Sequence, residues 1–102
     1  MTVKKMLEND DSKLSIVVDG KFDFSLYQNF RDAYIDFQGR NVDIVLDLSK
    51  TTYMDSSALG MILLLKEYGD KNSNRIVIKS PNETVNKILE IAQFHRLLTI
   101  EI

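Results

Sequence analysis

The sequence contains no cysteine and only one histidine, and its four glycines are scattered. Without cysteine the chain has no disulfide framework and no thiolate zinc site, and this composition suits a reducing compartment. The one histidine, His95, is not accompanied by a Gly-x-Ser-x-Gly motif, which argues against a serine hydrolase. Because the glycines form no phosphate-binding loop, the sequence also argues against nucleotide binding of the P-loop or dinucleotide type.

The sequence also lacks a large excess of either charge and any long apolar run. The net charge of −2, with both signs mixed, argues against a nucleic-acid partner, which requires a concentrated basic surface. The longest apolar run, Met61 to Leu65, is far too short to cross a bilayer, and Met1 to Ser12 lacks the apolar region of a signal peptide. We therefore expect a single cytoplasmic domain, residues 1–102, without a membrane partner.

The apolar residues change their period several times along the chain. Alternation predicts strands at Leu14–Val18, Val42–Leu48 and Leu98–Ile102. The continuous β-branched run Ile76–Ile78 predicts a short central strand, and Val3 with Met6-Leu7 is interpreted as an edge strand. Helical spacing predicts helices over Leu26–Phe37, Leu59–Tyr68 and Val85–Ala92. Asp19-Gly20 is expected to end the second strand, Gly39 to stop the first helix, and Ser80-Pro81 to open the third, with Ser80 as its cap.

This alternation of strands and helices predicts an α/β fold. We expect a single domain with a mixed, mostly parallel sheet of four to five strands and three main helices, joined by right-handed crossovers. The strict alternation within several strands indicates that one face of the sheet is less completely covered than the other.

Ser56 is the leading candidate for chemistry, because it stands where a strand gives way to a helix, directly after Asp55. Asp55 or Ser56 itself is available as the helix cap, and several first-turn N–H groups are then expected to point toward the serine hydroxyl. A phosphate there would gain from the helix dipole by roughly 0.3–2 kcal/mol. It would also place about −1.5 to −2 charges beside Asp55 and beside any acidic group of a partner.

The segments Val42–Ser49 and Thr52–Gly60 together resemble the signature of STAS domains, which sulfate transporters share with anti-sigma-factor antagonists. The resemblance follows the order of elements along nearly the whole chain, and Asp55-Ser56-Ser57 is its most distinctive part. Two features depart from the family pattern: Ala58 replaces the usual glycine, and the sequence ends at Ile102, where many antagonists add a final helix.

The resemblance to the antagonist branch implies a non-enzymatic phosphorylation switch that needs no cofactor. Ser56 would be phosphorylated by a serine kinase/anti-sigma factor of the histidine-kinase-like ATPase type, and a metal-dependent serine phosphatase would remove the phosphate. The unphosphorylated surface would bind the partner through Asp55, Ser56 and Ser57.

The second helix offers two further candidate partner-binding residues. Its apolar arc, expected to face the sheet, consists of Met61, Ile62, Leu64, Leu65 and Tyr68. Leu59 and Leu63 fall outside this arc, among polar residues, so we assign them to the partner-binding surface.

Other functions remain open at this stage. One is a constitutive assembly subunit, for example in a lipid-transport ATPase or a stress-sensing scaffold, in which Ser56 is never modified. Another is a sensor that binds a small anion or nucleotide at the helix N-terminus. A magnesium site formed by the aspartates is a weaker alternative, because their spacing follows no known loop pattern.

Overall fold

The computed structural model describes residues 2–8 and 12–102 and shows an alternating order of strands and helices. The strands are β1 (Thr2–Glu8), β2 (Lys13–Phe22), β3 (Asp43–Asp47), β4 (Thr51–Met54), β5 (Arg75–Lys79) and β6 (Thr99–Glu101). The helices are α1 (Tyr27–Tyr34), α2 (Ser56–Lys71) and α3 (Glu83–Ile91), and short 3₁₀ turns cover Phe24–Leu26 and Phe94–Arg96. The predicted α/β class with three main helices is confirmed.

The strands form one mixed sheet in the order β1-β2-β3-β5-β6, in which only β1 runs antiparallel to its neighbour. The sixth strand, β4, pairs in parallel with the far end of β2 and lies outside that order. The expectation of four to five strands was one strand short, because the sequence pattern assigned no strand to residues 51–54.

The core lies between one face of the sheet and the helices. Alternate residues of β2 and β3 are fully buried there, and they pack with buried side chains of all three helices in one continuous cluster. The intervening residues of the same strands are only partly buried. The sequence-based expectation of one less covered face is therefore confirmed.

The end of β2 lies further along the chain than the sequence pattern indicated. Asp19-Gly20 does not stop the strand, which continues to the fully buried Phe22. Gly20 has a φ of 94°, and the pairing of β2 with β4 shifts register between Gly20 and Lys21. Glycine tolerates this conformation, so the residue that suggested a turn instead forms a bulge that lets β2 reach β4.

Two predicted helix boundaries were also wrong. α1 ends at Tyr34 rather than near Gly39, and Phe37 is buried beyond the helix. Ser80 does not cap α3: it has a positive φ of 55°, and its backbone N–H donates to Glu101 of β6. Asn82 is the cap instead, because its side chain accepts the N–H of Val85 at 2.7 Å.

The buried face of α2 is rotated from the expected arc. Met61, Ile62 and Leu65 are buried as expected, but Leu64 is 44% exposed and Tyr68 is only partly buried. The other buried positions of this helix are Ala58 and Gly69. Small residues allow the helix to approach the sheet closely, and a count of large apolar side chains does not detect them.

Candidate functional site

Ser56 is the first residue of α2 and is exposed to solvent. β4 ends at Met54, and Asp55 alone separates the strand from the helix. β4 is held beside β2 by pairing and by the Thr51 hydroxyl, which donates to the Val18 carbonyl at 2.7 Å. Ser56 is therefore presented at the edge of the sheet by two regular elements.

Asp55 is the cap of α2. Its Oδ1 accepts the backbone N–H of Ser57 at 3.0 Å and that of Ala58 at 3.2 Å. The Ser57 hydroxyl also donates to Oδ1, at 2.6 Å. This hydroxyl bond, with the two backbone bonds, lowers the pKa of the Asp55 carboxyl below its ordinary value. A negative charge is therefore held beside Ser56 at neutral pH, and these first-turn donors are directed at Asp55 rather than at the serine hydroxyl, contrary to expectation.

The two adjacent serines differ in their surroundings. Ser57 is partly buried and its hydroxyl is engaged by Asp55. Ser56 is exposed, and within the described part of the chain its hydroxyl takes part in no hydrogen bond. Of the two, Ser56 is accessible to a modifying enzyme without breaking the cap.

A second turn of the same kind lies next to this one. Asp23 Oδ1 accepts the N–H of Ser25 at 3.0 Å, and the Ser25 hydroxyl also donates to it. The N–H of Asp55 donates to the carbonyl of Phe22 at 3.4 Å, so the two turns follow neighbouring strand ends. The repeated Asp-x-Ser pattern at residues 23–25 and 55–57 was visible in the sequence, but only the pairing of β2 with β4 brings the two copies together.

An apolar groove of about 300 Å³ runs from Ser56 between α2 and α3. Tyr53 and Leu59 line one side of it, and Ile88, Ile91 and Ala92 line the other. Ile91 is 75% exposed, although it is a large aliphatic side chain. Residues of α3 were absent from the sequence-based site, because their proximity to Ser56 depends on the packing of α3 against β4.

Leu59 and Leu63 lie one turn apart on α2. Leu59 is partly buried and lines the groove, whereas Leu63 is 43% exposed. Leu64, which has almost the same exposure, lies over α1 beside Tyr27 and Tyr68. The structure thus brings Asp55, Ser56, Ser57 and Leu59 together and places Leu63 at the margin of the group.

Among residues 2–8 and 12–102, no three carboxylate or histidine side chains are grouped closely enough to hold a metal ion. In that part of the chain no helix has the length and apolar character needed to span a bilayer.

Comparison with known proteins gives consistent matches over almost the whole chain. The family model described as the STAS domain matches residues 4–101. A STAS-domain containing protein of Pseudomonas aeruginosa is 38% identical over 100 residues, which is 98% of this chain and 99% of that protein.

Three solved structures show the same fold. A Thermotoga maritima protein described as a candidate anti-sigma factor antagonist superposes with a TM-score of 0.82 at 22% identity, over 98% of this chain and 86% of that one. The anti-sigma factor antagonist SpoIIAA has been solved unphosphorylated, with a TM-score of 0.81 at 16% identity over 97% of this chain and 87% of its own. Its phosphorylated form, from Bacillus, gives 0.69 at 14% identity over 97% and 90% of the two chains.

Proposed function

This chain belongs to the STAS domain family, and on that basis we propose that it is a protein-interaction switch controlled by phosphorylation of Ser56. One observation carries the proposal: the Ser56 hydroxyl is exposed at the start of α2, beside the charged cap Asp55, and takes part in no hydrogen bond among the described residues. A hydroxyl in that position accepts a phosphate without disturbing the core.

The electrostatic effect of such a phosphate is large enough to control binding. It adds about −1.5 to −2 charges near Asp55 and near the surface of a docked partner. Two unit charges about 4–6 Å apart repel by roughly 3–4 kcal/mol at an effective dielectric of about 20. A loss of that size lowers an affinity by about two to three orders of magnitude.

The proposed docking surface consists of Asp55, Ser56, Ser57, Leu59 and Leu63, extended by the groove residues of α3. Apolar side chains of a partner would fill the groove between Leu59 and Ile91, while Ser56 lies at its mouth. A partner seated there excludes water from the serine. A dianion on Ser56 then has to be desolvated as well as repelled, so phosphorylation weakens docking.

The family and fold neighbours indicate the class of partner. SpoIIAA is an anti-sigma factor antagonist that exists in phosphorylated and unphosphorylated forms. By analogy, the partner of this chain is a serine kinase/anti-sigma factor of the histidine-kinase-like ATPase type or a related regulator, and a metal-dependent serine phosphatase reverses the reaction. The chain is then a cytoplasmic substrate of these enzymes, and the kinase supplies ATP and Mg²⁺.

The site assignment is tested by mapping phosphate in the native cells. Wild-type protein and the variants Ser56→Ala and Ser57→Ala are each expressed with a tag, recovered and analysed by phosphopeptide mass spectrometry. We expect phosphate on Ser56 in the wild type and in Ser57→Ala, and none in Ser56→Ala. Full modification of Ser56→Ala contradicts the assignment, and a complete absence of phosphate under all growth conditions favours a constitutive assembly subunit.

The docking surface is tested with a matched pair of leucines. Leu63→Ala and Leu64→Ala remove equally exposed side chains from adjacent positions of α2, but only Leu63 belongs to the proposed surface. Affinity for the kinase recovered with the tagged protein is measured by calorimetry. We expect Leu63→Ala, Leu59→Ala and Ile91→Ala each to weaken binding by about 1–2 kcal/mol and Leu64→Ala to have no effect.

A different order of effects among these variants contradicts the proposed docking surface. Equal effects of Leu63→Ala and Leu64→Ala mean that the partner does not distinguish the two sides of α2. Unchanged affinity in both Ser56→Asp and Leu59→Ala means that the partner binds elsewhere.

A further inference from the structure

The face of the sheet that the helices leave uncovered has a middle row of two valines flanked by two hydroxyl side chains. Val45 of β3 is in register with Val77 of β5, and Ser15 and Thr99 extend the row onto β2 and β6. Val77 lies outside the cluster that the helices cover, and it is only 3% exposed because it lies in a recess lined by neighbouring side chains of the same face, among them Asp47 and Lys79. We call this surface the open face. It is separate from the docking surface, since α2 packs on the opposite side of the sheet.

Opposite charges flank the middle row on β3 and β5. Asp43 is in register with Arg75, and Asp47 with Lys79. The first pair forms a salt bridge, with Arg75 Nη2 2.8 Å and Nε 3.1 Å from the two carboxylate oxygens of Asp43. The second pair forms none: among the described residues, no salt bridge includes Asp47 or Lys79, and Asp47 accepts only the backbone N–H of Ser49.

This pattern is complementary to itself under one symmetry operation. A two-fold axis that runs parallel to the strands, between β3 and β5, places each β3 residue of one copy opposite its β5 register partner in a second copy. Asp47 then faces Lys79, Asp43 faces Arg75 and Val45 faces Val77. The strands of the two sheets remain nearly aligned, which is the common arrangement for packed sheets.

The alternative axis is unfavourable. A two-fold axis perpendicular to the strands keeps each strand opposite its own copy and exchanges the two charged rows. Asp43 then faces Asp47, and Arg75 faces Lys79, so like charges meet at four places. Like-charge contact costs binding energy, and the charge pattern therefore selects the first axis.

We infer that the protein forms a two-fold symmetric dimer through the open face, in which Asp47–Lys79 ion pairs between the copies supply most of the attraction and Val45 and Val77 lie beneath the centre of the contact. The axis between β3 and β5 also places β2 opposite β6, so four strands overlap and β1 lies outside the contact. Four strands about 4.8 Å apart give a face roughly 19 Å wide and about 300 Å² in area per copy. That is less than half of a standard interface, so the dimer is weak, with a dissociation constant in the micromolar range or above. Both Ser56 surfaces remain exposed in the dimer.

The test uses two charge reversals on the full chain. Lys79→Asp makes residues 47 and 79 both negative, and Asp47→Lys makes both positive. In either variant the two symmetric contacts become repulsive, and we expect dimerisation about tenfold to a hundredfold weaker than in the wild type. In an equimolar mixture each negative face meets a positive one at both contacts, so the mixture associates again. Lys87→Asp on α3 makes the same charge change away from the open face and is the control.

Sedimentation velocity over a concentration series measures the association, and circular dichroism confirms folding of each variant. The expected result is a dimer for the wild type, Lys87→Asp and the mixture, and a monomer for each reversal alone. A wild type that stays monomeric up to millimolar concentration overturns the inference. A dimer that persists in Lys79→Asp, or a mixture that does not associate, also overturns it, because either result places the contact elsewhere.

Discussion

Asp55 and the two serines after it have different roles at the start of α2. Asp55 satisfies the first-turn N–H groups of α2 and stays charged, and Ser57 supports it with its hydroxyl. Ser56 contributes nothing to this network in the described structure and is open to solvent. The proposed phosphate on Ser56 would therefore leave the cap intact.

The cap itself leads to a prediction about pH. Asp55→Asn keeps an oxygen for the N–H groups but removes the charge, whereas Asp55→Ala removes both and should lower the free energy of unfolding by about 1 kcal/mol. The pKa of the Asp55 carboxyl is lowered in the folded protein. Its charge therefore stabilises the fold at pH values above the ordinary pKa of about 3.9, and this stabilisation is lost as the pH falls through the lowered pKa. Wild type should therefore exceed Asp55→Asn in stability at pH 6, and the difference should vanish in strong acid.

Urea unfolding of wild type, Asp55→Asn and Asp55→Ala measures the free energy of unfolding at each pH. The series runs from about pH 2 to about pH 7, which covers the range in which carboxyl groups titrate. A difference between wild type and Asp55→Asn that is independent of pH would show that the carboxylate is not the group responsible.

At the scale of elements, the orientation of α2 is set by its small residues. Ala58 and Gly69 lie on the buried side, and Gly69 leaves no room for a larger side chain. A Cβ atom at Gly69 would lie 2.8 Å from Cδ1 of Ile76 and 3.1 Å from the carbonyl oxygen of Asn74. This close approach to β5 turns Leu64 outward and directs Leu59 to the groove beside Ser56.

The two glycines of α2 should therefore respond in opposite ways to the same substitution. Gly60→Ala places a methyl group in open space and should raise the free energy of unfolding by about 0.5–1 kcal/mol, since alanine is the better helix former. Gly69→Ala has the same helical advantage but collides with β5, and we expect a net loss of about 1–3 kcal/mol. Thermal or urea unfolding distinguishes them; a stabilised Gly69→Ala would show that α2 does not pack this closely.

At the scale of the whole molecule, the helix-covered core and the docking surface are separate. The core side chains of β2, β3 and α2 are almost completely buried, whereas Ser56 lies at the edge of the sheet. The interaction state can therefore change without a change of fold. The open face is separate from both, so the proposed self-association and the proposed docking would not compete for the same residues.

This separation predicts that a charge at Ser56 changes binding but not stability. Ser56→Asp should shift the free energy of unfolding by no more than about 0.5 kcal/mol, because the side chain is exposed and an acidic group suits a helix N-terminus. Ile62→Ala, in the fully buried part of the same helix, should cost about 2–5 kcal/mol and serves as the contrast. A large loss of stability in Ser56→Asp would mean that the site is coupled to the core.

Local periodicity determined much of this protein. Alternating apolar residues predicted β2, β3 and the less covered face, and a continuous β-branched run predicted β5. The Asp-Ser-Ser segment before an apolar helix predicted the position of Ser56. These features are local because the direction of a side chain follows from the period of its own element. The membership in the STAS family was likewise visible in the residues around Ser56.

The tertiary structure decided what depends on contacts between distant segments. The bulge at Gly20 extends β2 and creates the pairing with β4, which no local pattern had indicated. The close approach at Gly69 sets the rotation of α2, and the packing of α3 on β4 brings Ile91 beside Ser56. Each of these features depends on how elements far apart in the chain pair and pack. The residues that neighbour a position in sequence do not determine that pairing and packing.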